Sequence, residues 1–381
     1  MPALTISDFT PYTDEMLALL TRLAEIESPS TDKPALDHFG AVLAEELRAL
    51  EAEISVLPQA VAGDHIEAKW AGDEQGAARS PILILCHMDT VYEIGALARF
   101  PVYAEAGILH GPGVFDMKGG IVVALFAVRL LRQSGLPARP LTILFTSDEE
   151  TGSAASRPLI EALARQSAAA FCLEPALPDG ALKTARKGTG EIEIVAHGRA
   201  AHAGTDHAQG RNAIAELAAH ILSVQALTDY ARGTTTNVGV VSGGTRPNVV
   251  PDEARARVDF RVAEPGEVER LQAWASSLRP VLEGCSVEAS LALNRPPMPR
   301  DAVMAAAFAR AQAIARPLGL ELREGSTGGG SDANFVAPLG VPVLDGLGVR
   351  GNGAHSEREH MLINSLPERA ALLANLILEW S

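Results

Sequence analysis

The pattern of apolar and polar residues changes character about halfway along the chain. In the first half, short continuous apolar runs alternate with segments whose apolar residues recur at helical spacing. The predicted buried strands are 82–86, 141–146 and 168–173, and the predicted helices are 14–23, 36–50 and 119–131. Strands that alternate with helices in this way indicate an α/β domain, in which helices flank a mostly parallel sheet.

In the middle of the chain, apolar residues alternate with polar ones, which is typical of strands with one wetter face. The predicted strands here are 192–196, 234–242, 254–262 and 286–293, and the predicted helices are 212–227 and 268–282. This content predicts a small α+β unit. Since the α/β pattern resumes after Pro297, we expect a larger domain formed by residues 1–185 and 294–381, interrupted by a smaller one formed by residues 186–293.

Composition narrows the class of protein. A chain of 381 residues exceeds one typical core, which agrees with two domains. The formal net charge of −15 argues against a nucleic-acid partner, because phosphate binding needs a basic surface. The longest apolar stretch, Ile121–Leu131, is shorter than the ~18 residues that a membrane span needs. Since the start also lacks a secretory pattern, we expect a cytoplasmic protein with no membrane partner.

Three cysteines give no disulfide framework. Cys86 and Cys172 lie within apolar runs, so we expect both to be buried small residues.

Side chains that bind metals lie at the ends of predicted strands or in glycine-rich turns. The set is His87, Asp116, Glu149, Glu150, Glu174 and His355. Four of these residues follow the three predicted strands, and the carboxyl ends of parallel strands meet at one edge of a sheet. Two imidazoles and three carboxylates can bind two zinc ions if one carboxylate bridges them. The sequence therefore predicts a two-metal hydrolytic site.

The surroundings of these residues suggest their roles. Asp116 lies among glycines that allow the close approach a bridging carboxylate needs, and its segment lacks the phosphate-loop pattern. Asp89 follows His87 closely enough to accept that imidazole's other proton. If Glu150 binds a metal, the adjacent Glu149 can act as the general base. Taken singly, each residue has an ordinary alternative: a polar turn, a glycine-rich loop or a solvated acidic helix start.

The motifs resemble those of the di-zinc aminoacylase and carboxypeptidase family. They are H-M-D-T-V-Y (87–92), G-P-G-x-x-D-x-K-G-G (111–120), D-E-E-x-G-S (148–153), E-P (174–175), A-x-H-A-G (200–204), T-G-G-G-S-D-A (327–333) and H-S-E (355–357). The family includes acetylornithine deacetylase, succinyl-diaminopimelate desuccinylase and the bacterial glutamate carboxypeptidase that cleaves folates. Within it, the chain most resembles the last of these, from about Met16 to the end.

The resemblance implies a role for each member of the set. One zinc ion would be bound by His87 and Glu174 and the other by Glu150 and His355, with Asp116 bridging and Glu149 as the base. The smaller domain would be a lid that mediates homodimerisation. Its His202 would reach across the dimer and stabilise the tetrahedral oxyanion. Without the resemblance, His202 is more simply a structural histidine in a turn.

The resemblance also indicates residues that contact the substrate. They are Asn248, Arg261 and Gly329, and two further candidates that do not depend on the resemblance are Arg295 and Lys183. A guanidinium such as that of Arg261 can bind a carboxylate through two parallel hydrogen bonds. The alternatives are a charge on a strand face for Arg261 and a solvated arginine at a domain junction for Arg295. The segment from Glu174 to Gly188, which contains Lys183, differs from the folate-cleaving enzyme and could help select the substrate.

The expected protein is thus a homodimeric zinc hydrolase that cleaves the amide bond to a C-terminal amino acid with a free carboxylate, such as glutamate. Cobalt and manganese share such ligands and are alternatives to zinc. The substrate would be a small N-acyl amino acid or a peptide. The alternatives are a deacylase of small N-acyl amino acids, a dipeptidase of the same family and a catalytically inactive binding protein. A nucleotide-binding protein would need a phosphate-loop signature, which the chain lacks.

Overall fold

The computed structural model describes residues 4–72, 79–136 and 139–380, and its residues divide into two compact units. The first unit comprises residues 1–184, 300–326 and 331–381. The second comprises residues 185–299 and 327–330. Each unit is built around its own hydrophobic core.

The described helices and strands follow one another from Ile6 to Glu379. The helices are α1 (Ile6–Phe9), α2 (Thr13–Ala24), α3 (Lys33–Ala49), α4 (Lys118–Ser134), α5 (Arg157–Gln166), α6 (Ala213–Gln225), α7 (Pro265–Ser277), α8 (Ala302–Ala315), α9 (Ala333–Val336) and α10 (Ser365–Glu379). The strands are β1 (Glu53–Leu57), β2 (His65–Trp70), β3 (Ile82–His87), β4 (Tyr103–Glu105), β5 (Ile108–His110), β6 (Leu141–Thr146), β7 (Ala169–Cys172), β8 (Leu182–Arg186), β9 (Gly188–His197), β10 (Ala201–His202), β11 (Thr235–Gly243), β12 (Val249–Val250), β13 (Glu253–Val262), β14 (Ser286–Arg295), β15 (Glu324–Thr327), β16 (Val343–Asp345), β17 (Gly351–Asn352) and β18 (His360–Leu362).

A large sheet carries the strands predicted in the first half of the chain. Its order is β1-β2-β6-β3-β7-β16-β8-β15, and the central strands β6, β3, β7 and β16 run parallel to one another. The predicted α/β class is therefore confirmed. Strands β1 and β2 are antiparallel additions that sequence analysis missed. Charged and polar residues interrupt β2 at every second position, so it lacks the continuous apolar run of the central strands.

Helix α4 is buried along almost its whole length, as its apolar sequence predicts. It packs against α2 and α10, and its first turns pass close to the end of β7. A Cβ atom at Gly120 would lie 2.2 Å from the Leu173 carbonyl oxygen, so only glycine permits this approach. The start of α4, two residues after Asp116, is thereby fixed beside the carboxyl end of β7.

The second unit contains a four-stranded antiparallel sheet in the order β11-β13-β9-β14, with α6 and α7 packed on it. Side chains of β13 alternate between exposed and buried, as the sequence pattern predicts. One predicted boundary is wrong: α7 ends at Ser277 rather than at Leu282. Pro280 disfavours helical geometry at Arg279, so the chain leaves the helix before them.

Two smaller expectations also have outcomes. Cys86 and Cys172 are buried, as predicted. Among the described residues, none of the helices is long and apolar enough to cross a membrane.

Candidate metal centre

Three parallel strands bring the predicted ligands to one edge of the large sheet. His87 is the last residue of β3, and Glu174 lies two residues beyond the end of β7. Glu149 and Glu150 form a short 3-10 turn just after β6. Because β6, β3 and β7 are parallel neighbours, these side chains meet at their shared carboxyl edge.

The carboxylate of Asp116 lies between the two imidazoles. Its Oδ1 is 3.2 Å from His87 Nε2, and its Oδ2 is 3.3 Å from His355 Nε2. His87 Nε2 is also 3.4 Å from Glu174 Oε1, and His355 Nε2 is 3.2 Å from Glu150 Oε1. The five predicted ligands therefore form two groups that share one carboxylate.

These separations fit two metal ions. A tetrahedral zinc ion with bonds of about 2.0–2.1 Å holds its ligand atoms about 3.3 Å apart. Glu150 Oε1 is buried, and its 3.2 Å contact with His355 Nε2 lacks hydrogen-bond geometry, so this oxygen has no hydrogen-bond partner within the described part of the chain. Buried polar atoms are normally partnered, and a cation at this place would supply what the oxygen lacks. The residues present thus fit a dinuclear centre with Asp116 as the bridge.

The general-base candidate lies within the same cluster. The Glu149 side chain is buried, and one of its carboxylate oxygens lies within 4.8 Å of ligand atoms of His87 and Glu174. This distance suits a base beside the centre, and it would also suit a further ligand. The role of Glu149 as a base therefore stays a prediction.

Asp89 connects His87 to the acidic turn. His87 Nδ1 lies 2.9 Å from the Asp89 main-chain oxygen and 3.5 Å from Asp89 Oδ1, so the main chain rather than the carboxylate is its nearer acceptor. The carboxylate itself accepts the backbone N–H groups of Glu149 and Glu150 and the hydroxyl of Ser30. These contacts place the proton of a neutral imidazole on Nδ1 and leave Nε2 to face the cluster.

The electrostatics of the cluster favour cations. The neighbouring carboxylates of Asp116 and Glu150 raise the pKa of His355 to about 11. Burial opposes charge on His87, but Asp116, Asp89 and Glu174 together raise its pKa well above the ordinary value. Burial would raise the pKa of Asp116, but the two imidazoles outweigh it and hold that pKa well below the usual range. Protons and metal ions therefore compete for these ligands.

In the second unit, the backbone fixes the tautomer of His202. Its Nδ1 accepts hydrogen bonds from the backbone N–H groups of Gly204, at 3.0 Å, and Thr205, at 3.1 Å. A neutral imidazole then carries its proton on Nε2. His202 is exposed, so this N–H group is available as a donor. The Ala203 N–H group donates to the main-chain oxygen of Asn248, which ties that predicted substrate residue to the same turn.

Two buried arginines flank the glycine turn that contains Gly329. Arg186 Nη1 donates to the carbonyl oxygens of Gly329, at 3.2 Å, and Gly330, at 2.9 Å. The Arg295 side chain is buried and packs so closely that a Cβ atom at Gly330 would lie 2.6 Å from its Cδ. Sequence analysis had no signal for the contact of Arg186, since it depends on a turn far away in the chain.

The other two substrate candidates have different surroundings. Lys183 is buried in the first unit, with Nζ 3.9 Å from Glu174 Oε2, so the structure brings it to the metal ligands. Arg261 holds the carboxylate of Asp259 through Nε at 3.0 Å and Nη2 at 2.9 Å. This contact matches the alternative of a charge on a strand face, and a role for Arg261 in substrate binding stays a prediction.

Comparison with known proteins identifies the family. Residues 83–379 match the model of peptidase family M20/M25/M40, so the chain belongs to this family. It is 31% identical to Carboxypeptidase G2 of Pseudomonas sp. (strain RS-16) over 97% of this chain and 91% of that protein. The resemblance stated from the motifs is therefore confirmed.

Solved structures share the fold over nearly the whole chain. The aminopeptidase PepT of Bacillus cereus superimposes with a TM-score of 0.79 at 21% identity, covering 97% of this chain and 98% of that one. The YxeP protein of Bacillus subtilis, a dinuclear metal-binding peptidase, gives a TM-score of 0.72 at 18% identity, with coverages of 97% and 98%. By family, the protein is a metallopeptidase-like hydrolase.

Proposed function

We propose that the protein is a zinc-dependent hydrolase that releases a C-terminal amino acid with a free carboxylate, such as glutamate, from an N-acyl or peptidyl substrate. The observation that carries the proposal is the carboxylate of Asp116 between two imidazoles, each of which contacts a second carboxylate. Two bound divalent cations would activate water and polarise the scissile carbonyl. Zinc fits the nitrogen and oxygen ligands, and cobalt and manganese could replace it.

The protein's own residues would handle the proton and the developing charge. In this proposal Glu149 accepts a proton from the attacking water and donates it to the leaving amine. Its burial among other carboxylates suits a group that exchanges protons. His202 would donate its Nε2 proton to the oxyanion, a role that its tautomer supports.

The specificity for a carboxylate rests on the arginines of the second unit. Arg186 and Arg295 are both buried and converge on one glycine turn. Buried guanidinium groups are well suited to planar carboxylates, which they bind through paired hydrogen bonds. We therefore assign the turn at Gly329, with Arg295, to the substrate's free carboxylate, and Asn248 to the adjoining part of the substrate.

A deacylase of small N-acyl amino acids, or a dipeptidase, is the nearest alternative. Lys183 favours a substrate with negative charge close to the metal ligands, because it is a buried cation beside Glu174. An N-acyl glutamate would carry such a charge, whereas the cationic side chain of an N-acyl ornithine would be repelled.

The test is to measure the metal content of the purified protein and its hydrolysis of N-acyl-glutamate, N-acetyl-ornithine and dipeptides, before and after chelation. We expect about two metal ions per chain, chelator-sensitive turnover and the highest kcat/KM for the N-acyl-glutamate. A preference for dipeptides or N-acetyl-ornithine would favour the alternatives. Metal binding without turnover on any substrate would favour a catalytically inactive binding protein.

A homodimer formed through the second unit is part of the proposal. Strand β11 lies at the edge of its sheet, and Val240 and Val241 on it are exposed. Leu222 and Ile214 on the neighbouring helix α6 are exposed as well, and Ile214 lies next to Gly243 at the end of β11. An unpaired edge beside exposed apolar residues favours pairing with a second copy. The cytoplasmic location and the absence of a nucleic-acid partner stay predictions.

A further inference from the structure

A buried carboxylate outside the predicted ligand set supports the backbone of the bridging aspartate. Glu359 has no exposed surface, and its Oε1 accepts the N–H groups of Phe115 and Asp116, both at 2.9 Å. Two consecutive amides that point at one carboxylate oxygen fix the direction of the peptide between them. The contact therefore determines where the Asp116 side chain leaves the main chain.

The second oxygen of the same carboxylate reaches the histidine side of the centre. Glu359 Oε2 lies 2.5 Å from the hydroxyl of Tyr92, and that hydroxyl is 2.9 Å from the main-chain oxygen of Ser356. Ser356 directly follows His355, and Tyr92 belongs to the segment that follows His87. The main chain adds a further tie, since the Glu359 N–H group donates to the Ser356 oxygen at 3.0 Å.

We infer that Glu359 and Tyr92 are positioning residues that hold Asp116 and His355 at the spacing that two bridged metal ions require. His355 needs such support, because its backbone adopts a left-handed conformation, with φ of 62°, that is unfavourable for a residue with a Cβ atom. Asp116 needs it because both of its oxygens must face different imidazoles at the same time. The inference rests on the proposed metal-dependent function.

The hydrogen bonds of Glu359 and Tyr92 predict different effects for different substitutions of these two residues. Glutamine at 359 keeps an oxygen for the two amides and an N–H group for the tyrosine oxygen, so Glu359→Gln should preserve the geometry. Glu359→Leu removes every acceptor and leaves two buried N–H groups without partners. Tyr92→Phe removes the contacts of the hydroxyl with Glu359 Oε2 and with the Ser356 carbonyl, but leaves the amides of Phe115 and Asp116 bound to Glu359 Oε1.

The experiment measures metal affinity by competition with a chelator, together with the visible absorption spectrum of the cobalt-substituted protein. We expect Glu359→Leu to weaken metal binding about 10- to 100-fold and to change the cobalt spectrum, and Tyr92→Phe to weaken binding about tenfold. Glu359→Gln should stay within about threefold of the wild type. If Glu359→Leu fails to fold, the inference is tested by the metal affinities of Tyr92→Phe and Glu359→Gln. The phenylalanine variant should bind metal more weakly than the glutamine variant.

A matched control separates positioning from general stability. Glu216 in the second unit is also fully buried and accepts two consecutive amides, those of Val281 and Leu282, together with a contact from His220. Glu216→Leu should lower the melting temperature without changing metal affinity. Loss of stability in both leucine variants, with metal affinity and cobalt spectrum unchanged in Glu359→Leu and Tyr92→Phe, would overturn the inference. A wild-type protein that binds no metal would instead overturn the proposed function.

Discussion

At the residue scale, the site depends on which atom of each side chain faces its neighbours. The Nδ1 of His87 is held by the Asp89 main-chain oxygen, and the Nδ1 of His202 accepts two backbone amides. The two imidazoles therefore present opposite functions through Nε2: a lone pair at His87 and an N–H donor at His202. In the proposed function, these backbone contacts suit His87 to metal binding and His202 to oxyanion stabilisation.

Replacing Glu149 by glutamine separates its two conceivable roles. If Glu149 is the general base, Glu149→Gln should lower kcat about 10²- to 10⁴-fold, because the amide cannot accept the proton of the attacking water. The variant should still bind two metal ions per chain, as measured by elemental analysis of the purified protein. Glu161→Gln on α5, a partly exposed carboxylate that pairs with Arg157, should leave both quantities unchanged. Loss of one metal ion in Glu149→Gln would show instead that Glu149 is a ligand.

At the element scale, the second unit has an edge strand and a helix whose exposed residues need explanation. Leu222 on helix α6 is 74% exposed, and Val240 on the edge strand β11 is 54% exposed. Isolated exposed apolar residues are common, but several on two neighbouring elements beside an unpaired strand edge are typical of an interface. These two elements are therefore where we place the contact between copies.

Placing a charge on this face should dissociate the homodimer. Leu222→Glu and Val240→Asp would each bury a charge without a partner in the interface, which is strongly unfavourable. We expect light scattering to show a dimeric wild type at micromolar concentration and largely monomeric variants. Val61→Asp, at an exposed valine of the first unit, is the control and should remain dimeric. A monomeric wild type, or a variant pair that stays dimeric, would contradict the assignment.

At the scale of the whole molecule, metal binding is linked to stability through the histidines of the centre. The pKa of His355 is raised to about 11, against an ordinary value of 6.5 in the unfolded chain. A raised pKa contributes stability that is fully present below pH 6.5 and is lost as the pH rises towards 11. The pKa of His87 is shifted in the same direction. The protein freed of metal should therefore lose stability with rising pH, while metal ions meet less competition from protons.

The measurement is the melting temperature with and without zinc between pH 6.5 and pH 9. We expect the stabilisation by zinc to grow with pH, and to reach about 2.7 kcal/mol where the metal concentration is 100 times Kd. His355→Gln removes one of the titrating groups, so the melting temperature of its metal-free form should fall less steeply across this range. If the melting temperature of the metal-free wild type and that of metal-free His355→Gln fall equally with pH, His355 is not held in its charged form.

The sequence by itself determined the local features of this protein. Continuous apolar runs identified β3, β6 and β7, and the position of His87 and Glu174 after them predicted a shared edge, because a buried parallel strand needs apolar residues on both faces. The class of fold and the family followed from the same residues and motifs. Strands β1 and β2 were not predicted, because they lack the continuous apolar runs that identified the central strands.

Only the tertiary structure decided which distant residues meet. Three contacts join segments that are far apart in the chain. Asp116 contacts both imidazoles, Glu359 accepts the backbone N–H group of Asp116, and Arg186 donates to the Gly330 carbonyl oxygen. Periodicity reports whether a residue is buried, but not which partner it is buried against. That choice depends on how helices and loops pack over the sheet, and it fixes the hydrogen bonds that orient the site.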